Sequence, residues 1–306
     1  MSEDYQIEEV FSVAWWNTSL RPKPTANAPT LDKISVAMEI VRTLITSGVD
    51  FIALGEISES ERDIFFSLAD HSSYAFRDGL VKDGRSRFSM CYVYNPERVT
   101  VSSPMPIFIR DGRRRLRVCQ RLEVILQGEL FPFHILVSHW PSRLRDAAKD
   151  RSRLGTRLRD VIDRIYDESA GVPHIILLGD YNDEPFDDSM CNCLRATRDK
   201  MLVLKTPDLL YNPFWRYLGG ASNETANAKL GGSYFYRKDP LTRWRLFDQI
   251  IFSSSFLNGD PWTLDESMTQ IMHLPSYTDL LVSSKETFDH APILGVVRRG
   301  NANGQI

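Results

Sequence analysis

Short apolar segments, each bounded by polar or turn-forming residues, recur from one end of the chain to the other. This pattern predicts β-strands at 10–16, 50–56, 87–94, 131–139, 174–181, 245–253 and 291–297. Apolar residues at helical spacing predict helices over 31–48, which would end at Gly48 as a C-cap, and over 145–169. Strands that alternate with helices indicate an α/β fold without internal repeats.

Two further stretches complete this prediction. Residues 105–127 are typical of two paired strands with Asp111-Gly112 at the hairpin turn, and residues 197–243 are predicted to be mostly loop. We expect one domain over 1–306, with a core of about 10–298 and polar tails at 1–9 and 299–306.

The composition is that of an ordinary globular protein. The chain has 306 residues, 42% of them hydrophobic and 25% charged, and a net charge of −3. That charge excludes a global positive field, so any nucleic-acid site must come from local basic patches. The four cysteines are too few for a disulfide scaffold in a chain of this length. The acidic N-terminus is unlike a signal peptide and no apolar run reaches a membrane span, so we expect a cytoplasmic protein without stable membrane insertion.

Several predicted strands end in, or lie beside, a polar residue that can do chemistry. A single polar residue after a strand usually serves a turn or a cap, but the whole set is unusual. If the last two strands run opposite to the others, the set gathers at one edge of the fold. Its members are Asn17, Glu56, His139, Asp180 with Asn182, Asp248, and the pair Asp289-His290.

The segments that carry these residues resemble the endonuclease/exonuclease/phosphatase superfamily. They are WWN at 15–17, LGE at 54–56, SHWPSR at 138–143, GDYNDEP at 179–185, FDQIIFSS at 247–254 and FDHAPI at 288–293. They occur in the order of the family and span nearly the whole chain. The resemblance implies an α/β (α+β) fold, a four-layer sandwich of two packed mixed β-sheets flanked by helices, with the site at one end.

The resemblance also implies a divalent cation on one side of the site. Glu56 would be the metal ligand, Asn17 would support the metal or a phosphate oxygen, and Asp289 would be a second carboxylate on the metal side. Hard Mg²⁺ keeps several waters and needs only one or two carboxylates beside the substrate phosphate. We therefore expect Mg²⁺ as the cofactor, with Mn²⁺ as an alternative.

The remaining motif residues would handle the water and the phosphate. By resemblance, Asp180 is the general base and Asn182 holds water or phosphate. His290 would contact the phosphate, kept protonated by Asp248, because a neighbouring carboxylate favours the imidazolium. His139 would be a second phosphate contact or the acid for the leaving group. Phe288 departs from the small serine of many family members, which leaves the substrate class in doubt.

Basic and aromatic residues near these motifs favour a nucleic-acid substrate. Arg143 and Trp140 adjoin His139, while Arg113 and Arg115 lie at the predicted hairpin turn. Arginines suit phosphates and aromatic rings suit bases, although arginines on a helix face are usually solvated and aromatic residues usually fill a core.

Three functions compete at this point. The preferred one is a metal-dependent nuclease acting on DNA or RNA. The second is a phosphatase or a phospholipid or inositol phosphodiesterase with the same catalytic site. The third is a catalytically dead binding module, which retention of Glu56, Asp180, Asn182 and His290 argues against. Endo or exo cleavage, the number of metal ions and protein partners stay open.

Overall fold

The computed structural model describes residues 9–21, 27–112, 114–143, 148–219, 230–258, 261–283 and 288–300. Its helices are α1 Leu31–Thr46, α2 Glu59–His71, α3 Ala148–Glu168, α4 Lys200–Lys205 and α5 Pro275–Val282, with 3₁₀ turns at Pro213–Gly219 and Ser254–Leu257 and a π-helical turn at Ser189–Cys193. Its strands are β1 Val10–Asn17, β2 Phe51–Gly55, β3 Ala75–Asp78, β4 Val81–Asp83, β5 Ser86–Phe88, β6 Met90–Tyr94, β7 Val99–Val101, β8 Met105–Asp111, β9 Arg114–Leu126, β10 Phe133–His139, β11 His174–Asp180, β12 Ala196–Thr197, β13 Leu210–Tyr211, β14 Tyr234–Phe235, β15 Trp244–Arg245, β16 Asp248–Ser253, β17 Trp262–Leu264, β18 Gln270–Ile271 and β19 Ile293–Arg299.

The strands form two mixed sheets and two small hairpins. The first sheet has the order β17-β19-β1-β2-β6-β3, with β18 also paired to β19. The second has the order β12-β13-β16-β11-β10-β9-β7, with β8 also paired to β9. Strands β4 and β5 form one of the small hairpins, and β14 and β15 form the other. The predicted class, packed mixed sheets with flanking helices, is confirmed.

The sheets pack face to face through large apolar side chains. Phe11 of the first sheet meets Phe133 of the second edge to face, with ring centroids 5.2 Å apart. Trp15 is fully buried between the sheets and donates a hydrogen bond from its indole nitrogen to Asp248, 2.7 Å away. Burial of such rings supplies most of the driving force for joining two sheets. This packing brings the end of β1 against the ends of β11 and β16.

The strand that carries Asp180 depends on a glycine. Gly179 has a φ of 154°, and a Cβ added there would lie 1.9 Å from the carbonyl oxygen of Ser138 on β10. No side chain fits at this position, because real Cβ atoms essentially never lie closer than 3.0 Å to another heavy atom. The close contact of β10 with β11 therefore requires glycine immediately before Asp180.

Helix α1 begins and ends where its sequence signals indicate. The Thr30 side chain caps it by accepting a hydrogen bond from the backbone nitrogen of Lys33, and Gly48 lies just beyond its end with a φ of 76°. Helix α2 begins with a capping box in which Ser58 and Glu61 satisfy each other's backbone groups. None of the helices that the structure describes combines the length and apolar character needed to cross a membrane.

Most predicted elements are present, with three corrections. The hairpin over 105–127 is confirmed, although Asp111 ends β8 and pairs with Arg114, so that of the predicted turn pair only Gly112 lies at the turn. The reversed direction of β16 and β19 relative to their neighbours β11 and β1 is confirmed as well. The predicted strand 87–94 is wrong, because the chain breaks at Ser89 and divides it between a separate hairpin and the first sheet. The predicted strand 245–253 begins only at Asp248, because Arg245 pairs with β14 instead. The predicted loop 197–243 contains α4, a 3₁₀ turn and short strands.

Candidate active site

Strand register places the motif residues at one edge of both sheets. In the first sheet β1 and β2 run parallel, so Asn17 lies opposite Gly55 and next to Glu56. In the second, His139 lies opposite Asp180, and Asp180 lies opposite Asp248. Because the two sheets face each other, these ends line one cleft of about 1210 Å³, which includes Glu56, His139, Asp180, Asn182, Asp289 and His290.

Short polar contacts connect the residues across the cleft. The Asn17 amide donates to Asp180 at 3.1 Å and lies 3.4 Å from Nε2 of His290. Nε2 of His139 is 3.8 Å from a carboxylate oxygen of Glu56 and 3.8 Å from one of Asp180. The structure therefore brings together Glu56, Asp180 and both motif histidines, in agreement with the prediction that these residues gather at one edge of the fold.

The two histidines differ in charge state. Nδ1 of His290 lies 2.7 Å from Asp248, whose other oxygen accepts the Trp15 hydrogen bond. Burial alone would lower the pKa of His290, but the carboxylates of Asp248 and Asp180 raise it well above its usual value. Burial lowers the pKa of His139 well below its usual value, and the charges of Arg117 and His290 lower it further. His290 is thus an imidazolium and His139 a neutral imidazole at neutral pH.

Two carboxyl groups of the cleft, the partly exposed Glu56 and the buried Asp180, have raised pKa values. Burial, followed by the charge of Asp289, raises the pKa of Glu56 to about 7. Burial raises the pKa of Asp180 to about 7 as well, although the positive His290 opposes the shift. Repulsion between the Glu56 and Asp289 carboxylates identifies this end of the cleft as a place where a cation would be stabilised.

Backbone strain also concentrates at the site. Glu56 and Asn182 have positive φ values of 58° and 52°, a backbone conformation that residues other than glycine rarely adopt. Asp180 holds Asn182 by accepting a hydrogen bond from its backbone nitrogen at 2.9 Å, and the Asn182 amide donates to the Trp140 carbonyl at 3.1 Å. These bonds fix Asn182 beside Asp180.

Sequence reasoning missed the support of Asp289. Its carboxylate accepts a short hydrogen bond from Ser19, and Nζ of Lys33 donates to the Ser19 carbonyl at 2.6 Å. Burial lowers the pKa of Lys33, while the charges of Asp289 and Glu56 oppose this. Lys33 lies in the first turn of α1, where no motif marks it, so only the folded chain reveals its place.

Tyr234 was also missed. It lines the cleft, and its ring centroid lies 4.7 Å from that of His290 and 5.1 Å from that of Phe247. An isolated β-bridge between Tyr234 and His290 holds the two backbones together. The only sequence signal was the aromatic content of the segment before β16, which did not distinguish Tyr234 from its neighbours.

The structure does not place the predicted substrate-binding residues Trp140 and Arg143 where a substrate would contact their side chains. Trp140 is fully buried, with its indole against Tyr181 and bonded to the Val118 carbonyl, so the prediction that its ring stacks on a base is wrong. Arg143 turns to the Asn182 loop, donating to the Asn182 carbonyl at 2.9 Å and pairing with Asp183 and Asp187. Its guanidinium is therefore already bound within the protein.

The other two substrate predictions concern the hairpin between β8 and β9. Arg115 does line the cleft, but its charge is paired with Asp83. Arg113 lies outside the described residues. Phe288, which left the substrate class in doubt, is only 2% exposed and packs between Trp16 and Tyr277. Its ring is therefore part of the packed interior and does not line the cleft.

Two groups of residues could hold a metal ion. Asp180, Asp248 and His290 offer ligand atoms within 4.8 Å of one another. However, His290 uses Nδ1 for Asp248 and is positively charged, which disfavours a cation there. Glu56 and Asp289 fit better, because they are oxygen ligands whose mutual repulsion a divalent cation would relieve.

Comparisons with known proteins agree with the fold. The sequence model of the Endonuclease/Exonuclease/phosphatase family matches residues 75–272. The structure resembles the human Nocturnin catalytic domain with bound sulfate anion (TM-score 0.60, 15% identity), covering 95% of this chain and 97% of that one. It also resembles D. rerio TDP2 complexed with single strand DNA product (TM-score 0.59, 18% identity, 94% and 98% covered).

A bacterial protein has the same architecture. An endonuclease/exonuclease/phosphatase family protein from Bacteroides thetaiotaomicron is similar with a TM-score of 0.58 and 13% identity, and 98% of each chain is covered. At such identities the likeness shows the shared fold alone. No curated protein matches the sequence.

Proposed function

Because this chain belongs to the endonuclease/exonuclease/phosphatase family, we propose that it hydrolyses phosphodiester bonds in nucleic acid with a divalent cation bound beside Glu56. One observation carries the proposal. The cleft sets a positive His290 and a neutral His139 around Asp180, a buried carboxyl group with a pKa of about 7. Hydrolysis of a phosphodiester needs a base near neutral pKa and positive charge beside the phosphoryl oxygens.

Glu56 and Asp289 would hold the cation. Mg²⁺ prefers oxygen ligands and keeps most of its waters, so two carboxylates and a substrate phosphate suffice; Mn²⁺ accepts similar ligands. When bound, the cation supplies positive charge to a phosphoryl oxygen. Asn17 is 1% exposed, its amide nitrogen donates to Asp180, and its Oδ1 accepts a hydrogen bond from the Ser19 backbone nitrogen at 3.0 Å. We therefore assign it to holding the carboxyl groups rather than to binding the metal.

Asp180 would take the proton of the attacking water. A pKa of about 7 gives a base that is largely ionised at pH 8 and still able to accept a proton. Asn182, fixed next to it, would orient the same water or a phosphate oxygen through its amide.

The histidines would contact the phosphate from two sides. His290, charged and oriented by Asp248, would stabilise the negative charge that develops on the phosphoryl oxygens. His139 is neutral, so we assign it to donating a hydrogen bond to the phosphate rather than to protonating the leaving group. Among the residues that the structure describes, Nδ1 of His139 has no hydrogen-bond partner.

Nucleic acid is favoured as the substrate on two grounds. The cleft is lined by arginines beside the acidic end, which suits a chain of phosphates. The similar structure of D. rerio TDP2 is complexed with a single strand DNA product. A phosphatase or a phospholipid or inositol phosphodiesterase would use the same centre, and the substrate test separates these alternatives.

The test offers purified protein a set of substrates. Labelled single- and double-stranded DNA, RNA, sphingomyelin and inositol phosphates are incubated with Mg²⁺, with Mn²⁺ and with EDTA. We expect cleavage of nucleic acid that EDTA abolishes and that Asp180→Asn reduces by about 10³-fold or more. Turnover of only the lipid or inositol substrates would refute the nucleic-acid assignment. Full activity in EDTA or in Asp180→Asn would refute the mechanism.

A further inference from the structure

Arginine side chains line the cleft outward from its acidic end. They come from the segment after β1, from the β4–β5 hairpin and from β9. The residues are Arg21, Arg85, Arg87, Arg114, Arg115 and Arg117. Their guanidinium groups are fixed in charge at any physiological pH, so each must be matched by an anion or by water.

Three of these arginines are neutralised by the protein. Arg21 pairs with Glu61 at 3.0 Å. Arg114 pairs with Asp150 on α3, and Arg115 pairs with Asp83. Their charges are therefore largely satisfied before any substrate arrives.

The other three, Arg85, Arg87 and Arg117, form what we call the arginine wall. In the part of the chain that the structure describes, no carboxylate lies within ion-pair distance of any of them. Arg117 and Arg87 are half-buried, whereas Arg85 is exposed at the hairpin turn. The wall thus extends from the depth of the cleft to its open rim.

Arg117 and Arg87 repel each other. The Arg117 guanidinium donates a hydrogen bond to the Arg87 backbone carbonyl at 2.6 Å, which fixes the β4–β5 hairpin against β9. Burial lowers the pKa of Arg117; the Glu56 carboxylate opposes this, and the charge of Arg87 lowers it further. An anion bound in the cleft that both arginines line would relieve this repulsion and replace the water that burial removes.

We propose that the arginine wall binds the phosphate next to the scissile one in a single nucleic-acid strand. This inference rests on the proposed function, because it takes the scissile phosphate to lie between Glu56 and His290. The wall is a row that leads outward from the centre, which suits successive phosphates of a strand. A compact inositol phosphate would instead need donors that surround one point.

The test compares two diesters that differ in their number of phosphates. One is a labelled single-stranded octanucleotide, and the other is bis(p-nitrophenyl) phosphate, which has a single phosphate. The variant is Arg87→Ala with Arg117→Ala. The matched control is Arg42→Ala with Arg157→Ala, which removes the same charge from arginines that pair on helix surfaces outside the cleft.

We expect the wall variant to lose about 30-fold more in kcat/KM on the octanucleotide than on the single-phosphate diester, because two charge-assisted hydrogen bonds are removed. Most of the loss should appear in KM. The slope of log binding constant against log salt should fall in magnitude by about 0.7, which corresponds to the loss of one phosphate contact on a single strand. The control should match wild type on both substrates.

A second variant keeps the proposal testable if the first variant misfolds. Arg85→Ala with Arg87→Ala changes only the hairpin and leaves the half-buried Arg117, and it should show the same selective loss to a smaller degree. Equal losses on both substrates, or an unchanged salt slope, would refute the proposal that the arginine wall binds the neighbouring phosphate. Turnover of inositol phosphates with no octanucleotide binding would refute it too.

Failure of the proposed function is recognisable separately. If wild-type protein cleaves neither diester, fluorescence anisotropy of the octanucleotide in EDTA still measures its binding. Weaker binding by the wall variant than by the control would then support the wall, although the proposed hydrolysis had failed. Identical binding by the two variants would overturn the wall as well.

Discussion

His290 and Asp248 come from different sheets and meet at 2.7 Å between Nδ1 and a carboxylate oxygen. Asp248 begins β16 of the second sheet, while His290 precedes β19 of the first. Trp15, on β1, fixes the other carboxylate oxygen at 2.7 Å. The charge of His290 therefore depends on how the two sheets pack, because both partners are buried at their interface.

Asp248→Asn should remove the charge that keeps His290 protonated. Without that carboxylate the burial of His290 lowers its pKa, so the imidazolium is lost as pH rises. We expect kcat/KM to fall by about 10²- to 10⁴-fold at pH 8, with partial recovery at lower pH. A pH–rate profile from 5.5 to 9 checks this.

The isosteric change keeps the shape of the side chain, so the thermal melt shows whether packing has survived. Trp15→Phe is the companion variant, because it removes one hydrogen bond to Asp248 and leaves the carboxylate. Its pH profile should resemble wild type. An Asp248→Asn profile parallel to that of wild type would mean that the charge of His290 does not matter.

In the absence of a bound metal ion, the free energy of unfolding should fall as pH rises. Glu56 and Asp180 have folded pKa values of about 7, above those of the unfolded chain, so between about pH 4 and 7 the folded state binds more protons. Stability is then lost as pH rises through this window. His290, whose folded pKa is also raised, loses its stabilising contribution as pH rises further.

Thermal melts in EDTA and in Mg²⁺ test this relation. A bound cation stabilises ionised carboxylates, so Mg²⁺ should raise Tm more at pH 8 than at pH 5.5. The difference should correspond to a few kcal/mol, since each pKa unit is worth about 1.4 kcal/mol. Glu56→Gln with Asp180→Asn should show a weaker pH dependence in EDTA and little response to Mg²⁺. Equal Mg²⁺ stabilisation at both pH values would contradict the assignment.

Strand periodicity explains which site residues could be predicted. Asn17, His139 and Asp180 end buried strands, so each could be placed at a sheet edge from sequence alone. The same alternation explains the error at Trp140: the residue after His139 faces the opposite side, where it packs on Tyr181. A residue next to His139 in sequence can therefore have a ring that is buried rather than presented to a substrate.

Ion pairs with distant residues explain why the role of each cleft arginine could not be predicted from the sequence. Arg115 and Arg117 are two positions apart on β9 and looked equivalent in sequence. Arg115 is neutralised by Asp83, 32 positions earlier, whereas Arg117 has no carboxylate at ion-pair distance among the described residues. Such long-range partners follow from the position of the β4–β5 hairpin, which the sequence pattern merged into a neighbouring strand.

Gly179→Ala should prevent stable folding. The new Cβ would lie 1.9 Å from the Ser138 carbonyl oxygen, and the φ of 154° is itself unfavourable for alanine. We expect a loss of about 3 kcal/mol or more in the free energy of unfolding, measured by urea denaturation. Gly171→Ala is the control, because its Cβ would meet nothing within 4 Å. Similar midpoints for the two variants would show that β10 and β11 can separate at little cost.

Arg143→Ala distinguishes a positioning role from phosphate binding. Arg143 donates to the Asn182 carbonyl and pairs with Asp183 and Asp187, so it holds the loop in which Asn182 keeps its positive φ. Loss of these bonds should let Asn182 relax away from Asp180. We therefore expect kcat to fall by about tenfold or more with little change in KM or in the salt slope of binding.

Had Arg143 bound substrate phosphate, KM would rise and the salt slope would fall in magnitude by about 0.7. Arg143→Lys should restore little, since one ammonium cannot replace the fork that reaches all three partners. Arg157→Ala, on the exposed face of α3, provides the unchanged reference for both parameters.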